Sequence, residues 1–333
     1  MTTLPTRAFG TTGMDITRVG FGAWAIGGGD WAFAWGPQDD KASVAAILYA
    51  VEQGINWIDT AAVYGLGHSE EVVGRALKAI PEADRPYVFT KCGFVWDPAD
   101  RTKPPRGIGA PDSIRREAEA SLKRLDVECI DLFQVHFPAE DGTPVEEYWQ
   151  TLLDLKAEGK IRAAGLSNHD VAQLDRAEKV GHVDSLQPPF SAIRRSAATE
   201  ISWCHLHDTG VIVYSPMQAG LLTGAFSRER VASLPPDDWR AKSPDFTTNL
   251  DANLALADAL VPVAERHGVP RAAVAVAWTL AWPGVTAAIV GARRPDQIDG
   301  WLPAASLELT DTDLDEISAA ITSTGAVAEG PAG

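Results

Sequence analysis

Eight short apolar runs, each followed by a stretch with helical periodicity, predict an α/β protein closed as a (β/α)8 barrel, the TIM-barrel class. Two further observations agree. Several runs end on a polar or charged residue, and the longest connections follow those ends. In parallel α/β folds the carboxyl ends of strands are where chemistry is placed. The chain has 333 residues, a length that suits such a barrel, and no linker or compositional break divides it. Residues 1–333 are therefore expected to form one domain, with 324–333 a loose tail. An open doubly wound sheet is the alternative; it uses fewer strands and needs a switch-point site.

The elements follow in order. Arg7–Phe9 and Ile16–Arg18 flank the turn-rich TTGMD and predict an N-terminal β-hairpin. VGFGAWAIGG then matches the dinucleotide fingerprint G-x-G-x-x-A at Gly20, Gly22 and Ala25. That fingerprint needs a helix to open within its glycines, and Gly27-Gly28-Gly29 with WAFAWGP cannot make one, so it is set aside. Strands are expected at Val19–Gly22, 55–59, 86–91, 130–136, 161–166, 183–187, 211–214 and 286–290. Between them, Val44, Ile47, Leu48 and Val51 form one apolar stripe of a helix over Asp39–Gln53, ended by Gly54. Ser69 is the expected cap of a helix through Leu77, and Asp112 opens one with Ile114, Ala118, Leu122 and Leu125 on one face. Further helices are expected over Val145–Ala157, Asp170–Val180, Ala197–Thr209, Ala252–His267, Pro270–Ala281, after Pro295, and over Thr310–Ile321. Three long loops, Gly22–Asp39, Gly93–Ala110 and Pro216–Leu250, all follow strand carboxyl ends.

Composition excludes several function classes. The formal net charge of −16 repels polyanions, so nucleic acid is not an expected partner. Cys92, Cys129 and Cys204 are widely spaced and show neither a metal-ligand pair nor a disulfide framework, which suits a reducing cytoplasm. MTTLPTRAFG has no apolar core and is not read as a signal peptide. Ala272–Ala292 runs 21 residues without a charge, but Pro283-Gly284 divides it into a buried helix and a buried strand, so no membrane span is expected. The sequence specifies no oligomeric state.

Four polar strand ends carry the chemistry. INWIDTAAVYG puts Asp59 at the end of a buried strand and Tyr64 five residues on; YVFTK ends in Lys91, IDLFQVH in His136, and AAGLSN in Ser167 and Asn168. Any one of these has an ordinary structural explanation, but four on neighbouring strand ends read as one site.

DTAAVYG, TK, QVH, GLSN, YSPMQAGLLTG and IVGARRPDQ, in this order, resemble the aldo-keto reductase superfamily across nearly the whole chain. The resemblance implies a metal-free barrel that reduces carbonyls, or oxidises the matching alcohols, with a nicotinamide cofactor. Tyr64 is then the general acid, Lys91 the cation that favours its ionised form, Asp59 the carboxylate that keeps Lys91 charged, and His136 the group that polarises or orients the carbonyl. Ser167, Asn168 and Gln187 match positions that bind the carboxamide, and Tyr214 an aromatic under the nicotinamide ring. Ser215, Gly220, Leu222 and Gly224 match a loop over the pyrophosphate, and Gly291, Arg293 and Gln297 the adenosine end. Arg293, with Arg294 beside it, suits a 2′-phosphate, so NADP(H) is expected over NAD(H). The sequence departs from the family at Gly300-Trp301, where many relatives have Glu-Asn; Trp301 either stacks on adenine or packs.

Two rival readings stand beside this one. A metal-dependent hydrolase would use Asp59, His136 and His169, but no H-x-H or H-E-x-x-H pair exists and Lys91 would compete with a cation. A non-catalytic nucleotide sensor would not need the complete Asp-Tyr-Lys-His set. Trp24, Trp31, Phe33, Trp35, Trp96 and Phe137 lie on the active-face loops and are candidates for substrate contact. They leave aromatic aldehydes, keto-sugars and larger ketones open.

Overall fold

The computed structural model describes residues 3–235 and 238–327. Its strands are β1 (Thr6–Ala8), β2 (Asp15–Thr17), β3 (Val19–Gly22), β4 (Trp57–Asp59), β5 (Tyr87–Cys92), β6 (Phe94–Val95), β7 (Arg106–Gly107), β8 (Ile130–Val135), β9 (Ile161–Ser167), β10 (Ser185–Gln187), β11 (Gly210–Val213) and β12 (Ala287–Gly291). Eight of them close a parallel barrel in the order β10-β11-β12-β3-β4-β5-β8-β9. Each of these eight overlaps a run expected from sequence, within two residues at either end.

The helices are α1 (Asp40–Glu52), α2 (His68–Ala79), α3 (Pro111–Leu125), α4 (Val145–Ala157), α5 (Val171–Glu178), α6 (Ala198–Leu206), α7 (Arg228–Ala232), α8 (Leu250–Ala259), α9 (Val261–His267), α10 (Arg271–Ala281), α11 (Pro295–Ile298) and α12 (Asp311–Thr324). Caps fix several starts: Asp39 accepts from the Ala42 N–H, and Asp170 and Thr310 each complete a capping box. Among the described residues no helix is long and apolar enough to cross a membrane.

The antiparallel β1–β2 hairpin covers the amino end of the barrel. Its Phe9 and Met14 join Ile16, Trp57, Phe89, Leu132, Ala163, Ile212, Ala287 and Ile289 in one apolar cluster, with Phe9 stacked 5.6 Å from Phe89. Gly20, the first glycine of the apparent dinucleotide fingerprint, serves this packing. A Cβ there would stand 2.2 Å from the Trp57 ring, and one on Gly22 would stand 2.7 Å from Ile289 Cγ2. These glycines make room for side chains inside the barrel.

The structure corrects four expectations. Ser69 is buried inside α2 rather than capping it, and its hydroxyl donates to Ala23 O while meeting Thr60 Oγ1. The stretch 252–267 is two helices, because Pro262 opens a new helix at Val261–His267. The 93–110 loop holds the β6–β7 hairpin. Of the expected tail, Thr324 ends α12, Gly325 takes the left-handed cap and Ala326 is buried; 328–333 lie outside the described residues.

Candidate active site

Asp59, Lys91 and His136 come together because β4, β5 and β8 are adjacent parallel strands whose carboxyl ends open on the same face. Lys91 is fully buried and donates to Asp59 Oδ1 at 2.6 Å and to Thr60 O at 2.8 Å. Its third direction reaches Tyr64 Oη at 3.4 Å. Gln187, at the end of β10, donates to Asp59 Oδ2 at 2.8 Å, so both carboxylate oxygens are held. The His136 ring lies edge-on to Tyr64 with centroids 5.6 Å apart.

Electrostatics assign the protonation states. Burial, then Asp59 and Tyr214, push the Tyr64 phenol well above its ordinary range. This differs from the expectation that Lys91 lowers it. The Lys91 charge is already neutralised by Asp59, so burial decides. Burial likewise lowers Lys91 and raises Asp59, while their mutual attraction opposes both shifts. Burial and the Lys91 charge push His136 well below 6.5, so its ring is neutral.

A cavity of about 610 Å³ opens over this group. Its wall includes Asp59, Tyr64, His136, Phe137, Gln187, Tyr214 and Ser215, and it continues past Gly220 to Gly291, Arg293, Gln297 and Trp301. Asn168 sits beside it in a left-handed conformation, with φ 61°. Its amide donates to His136 O at 2.9 Å and accepts from the Tyr214 hydroxyl at 2.8 Å. Ser167 Oγ donates to Gln187 O at 2.8 Å. The turn after Tyr214 carries positive φ at Ser215, Gln218, Ala219 and Gly220, which rolls the backbone around the cavity rim.

Not every expected contact reaches the cavity. Trp24, Trp35 and Phe137 line it. Trp31 is instead buried with Ala61 and Val63, pinning its loop, and half-buried Trp96 lies away from the wall. Leu222 and Gly224 also stand behind the lining, Leu222 fully buried in the core. Arg293 does line the cavity, but its guanidinium is tied to the first long loop. It donates to Gln38 Oε1 at 2.6 Å and to the carbonyls of Trp35 and Pro37. Arg294 pairs with Asp296 on the surface. Trp301 is buried and lines the cavity near Gln297. Among the wall groups that were not expected are Trp239, stacked 6.4 Å from Trp24, and Arg240, over the Trp35 ring at 5.0 Å. Both lie in a long polar stretch with no periodicity, so no sequence signal marks them.

The ligands that a metal-hydrolase reading needs are not brought together. Asp59 is taken by Lys91 and Gln187, while His169 is buried against Tyr148 Oη and Ser167 O. Among the described residues no group of three or more His, Cys, Asp or Glu is placed to hold a metal ion.

The chain is a closed parallel barrel with a carboxylate, a lysine, a tyrosine and a histidine at its carboxyl face, and sequence comparison gives that scaffold its family. The Aldo/keto reductase family model matches residues 18–322, and the chain belongs to that family. It is 33% identical to an aldo-keto reductase of Bacillus subtilis, covering 96% of this chain and 94% of that one. It is 35% identical to the NADH-specific methylglyoxal reductase of Escherichia coli, over 91% and 94% of the two chains. Among solved structures, the glycerol dehydrogenase of Gluconobacter oxydans matches with a TM-score of 0.88 and 36% identity over 98% of both chains.

Proposed function

We propose that this member of the family is an NADP(H)-dependent reductase of small aldehydes and ketones, also able to oxidise the matching alcohols. The observation that carries the reading is the buried Asp59–Lys91–Tyr64 chain beside a neutral His136 on the cavity wall. The cavity suits a dinucleotide. A Cβ on Gly291 would meet only Gly22 O, at 3.4 Å, so the missing side chain leaves open space at the strand end. Tyr214 and Gln187 would hold the nicotinamide end, with Ser167 and Asn168 fixing them from behind; the 215–220 turn would hold the pyrophosphate, and Arg293, Gln297 and Trp301 the adenosine end. A reduced nicotinamide supplies the hydride when bound.

The chain's own residues supply the rest. Tyr64 stays protonated at ordinary pH because burial raises its pKa. Its Oη proton passes to the carbonyl oxygen as that oxygen becomes an alkoxide, and the phenolate left behind faces Lys91 Nζ. Asp59 keeps Lys91 charged despite its burial. His136, being neutral, donates a hydrogen bond to the carbonyl oxygen without competing for the proton. The relatives named for methylglyoxal and glycerol favour small polar substrates.

NADH use is a second reading, favoured by the engagement of Arg293 with Gln38 and by the NADH-specific relative. A panel of methylglyoxal, glyceraldehyde and aromatic aldehydes, read by absorbance of each reduced dinucleotide, tests both readings. Turnover with NADPH exceeding that with NADH is expected. If Arg293 leaves Gln38 for a 2′-phosphate, Arg293→Ala weakens NADPH by about one to two decades and spares NADH, because a charge-assisted hydrogen bond contributes roughly 1.5–3 kcal/mol. Equal losses would show that Arg293 only holds the loop. Absence of turnover with either cofactor would end the reductase reading.

A further inference from the structure

Glu117 is a half-buried carboxylate one helix away from the chemistry, and the mechanism above does not use it. It lies on α3. Its Oε2 accepts the Gly93 N–H at 2.8 Å and its Oε1 accepts the Ser113 hydroxyl at 3.2 Å. Gly93 belongs to the same peptide unit as the Cys92 carbonyl, and that carbonyl accepts the His136 N–H at 3.0 Å. One peptide plane therefore links the Glu117 carboxylate to the backbone of His136. The Gly93 carbonyl is also held, by Ile108 N–H at 2.9 Å, and Gly93 takes φ 92°, which leaves glycine as the residue of choice there. Lys91 immediately precedes this peptide. Phe94 immediately follows it and lays its ring edge-on to His136 at 5.4 Å and against Phe137 at 5.6 Å. Hydrogen bonds chained through a peptide polarise one another, so the strength of the first is felt at the second.

We propose that Glu117 is a positioning residue whose ionisation, transmitted through the Cys92–Gly93 peptide, sets how firmly His136 and Phe94 hold the substrate carbonyl. The inference rests on the reductase reading for its effect on turnover. An ionised acceptor makes the stronger bond to Gly93, so the site is better ordered when Glu117 is charged.

The surroundings place that ionisation in a working range. Burial lifts the Glu117 carboxyl to about 7, against the Gly93, Ser113 and Phe94 hydrogen bonds and the charge of Arg124. Arg124, further along α3, is itself committed to Glu70 of α2 at 2.6 Å. The Cys92 thiol on β5 is pushed far up by burial and stays neutral. Tyr64 lies well above 10 and His136 well below 6.5, so neither of them titrates near 7.

The test compares wild type, Glu117→Gln and Ser113→Ala between pH 5.5 and 8.5, using methylglyoxal with the preferred dinucleotide, alongside backbone amide spectra of 15N-labelled protein. In wild type, kcat/KM should rise about three- to tenfold through an inflection near 7, the difference between a neutral and a charge-assisted hydrogen bond. The Gly93 and His136 amide shifts should follow the same inflection. Glu117→Gln should flatten both while leaving dinucleotide affinity unchanged. Ser113→Ala removes a bond that favours the charged form, so it should move the inflection to higher pH. Superimposable pH profiles for wild type and Glu117→Gln would overturn the proposal and leave the reductase reading intact. If the chain turns over no carbonyl, the reductase reading fails. The positioning claim is then decided by the amides alone, and it falls if the His136 resonance does not follow Glu117.

Discussion

Tyr64→Phe removes one oxygen and nothing else from the site. Carbonyl reduction should fall by at least the ~10²–10⁴ typical of losing acid catalysis, while dinucleotide binding, read by tryptophan quenching, stays near wild type. Retained turnover would take Tyr64 out of the role. Glu117 gives a second prediction at this scale, in stability. Its carboxyl has a raised folded pKa, about 7 against an ordinary 4.5, so the folded state disfavours its charged form and the penalty grows as it ionises. Melting temperature should therefore decline in wild type relative to Glu117→Gln as pH rises from about 4.5 to about 7, and the gap should then level off. A gap that closes with rising pH would contradict the raised pKa. Asp59, Lys91 and His136 were legible because each stands at a strand end, where position follows directly from periodicity, and Tyr64 because it follows Asp59 five residues on. Arg293 was legible as a cation near the last strand but not as a clasp. Its partner Gln38 is 255 residues away, and no local pattern encodes that meeting. Glu117 was invisible for a related reason: on a helix it reads as one more solvated charge.

At the scale of elements, packing and caps explain most of what the chain does. Gly20 is needed because Trp57 fills the space a side chain would take, so Gly20→Ala should cost at least the ~1–3 kcal/mol of overpacking. Denaturant unfolding would register it, and an unchanged midpoint would refute the clash. The start of α12 is pinned by Asp313, which is fully buried and holds Thr310, His267 and Arg266. Burial alone would raise its pKa, but these partners outweigh it and hold the carboxyl well below 3.8. A depressed folded pKa stabilises the protein above the unfolded value, and that stabilisation is lost as pH falls from about 4 downward. Asp313→Asn should thus lower the melting temperature at pH 7, and the difference from wild type should shrink steadily as pH falls below about 4. Helices and barrel strands were readable from the 3.6- and 2-residue patterns, whereas the capping boxes at Asp170 and Thr310 are seen only in the structure. The β6–β7 hairpin was not, since two residues per strand are too few to show a period. Ser69 misled because a serine ahead of an apolar stripe has the signature of a cap, whereas the structure buries it against Ala23 O and Thr60.

At the scale of the molecule, the barrel closes by pairing β12 with β3, so Gly291 lies beside Gly22. Arg7 adds a stitch on the opposite end, donating to the carbonyls of Leu280 and Val285. The eight-fold alternation was plain in the sequence, but this seam was not, because closure depends on strand tilt and stagger rather than on composition. The seam has a consequence for biosynthesis. A ribosome releases the first strand about 270 residues before its neighbour exists, a separation of the kind that Arg7 spans when it bonds to Leu280, 273 positions on. Until then β3 and β11 each present an unpaired edge, and such edges recruit other chains. Nascent chains stalled short of Ala287 should therefore be held by chaperones or lost to aggregates, and only those carried through to the last strand should be released soluble.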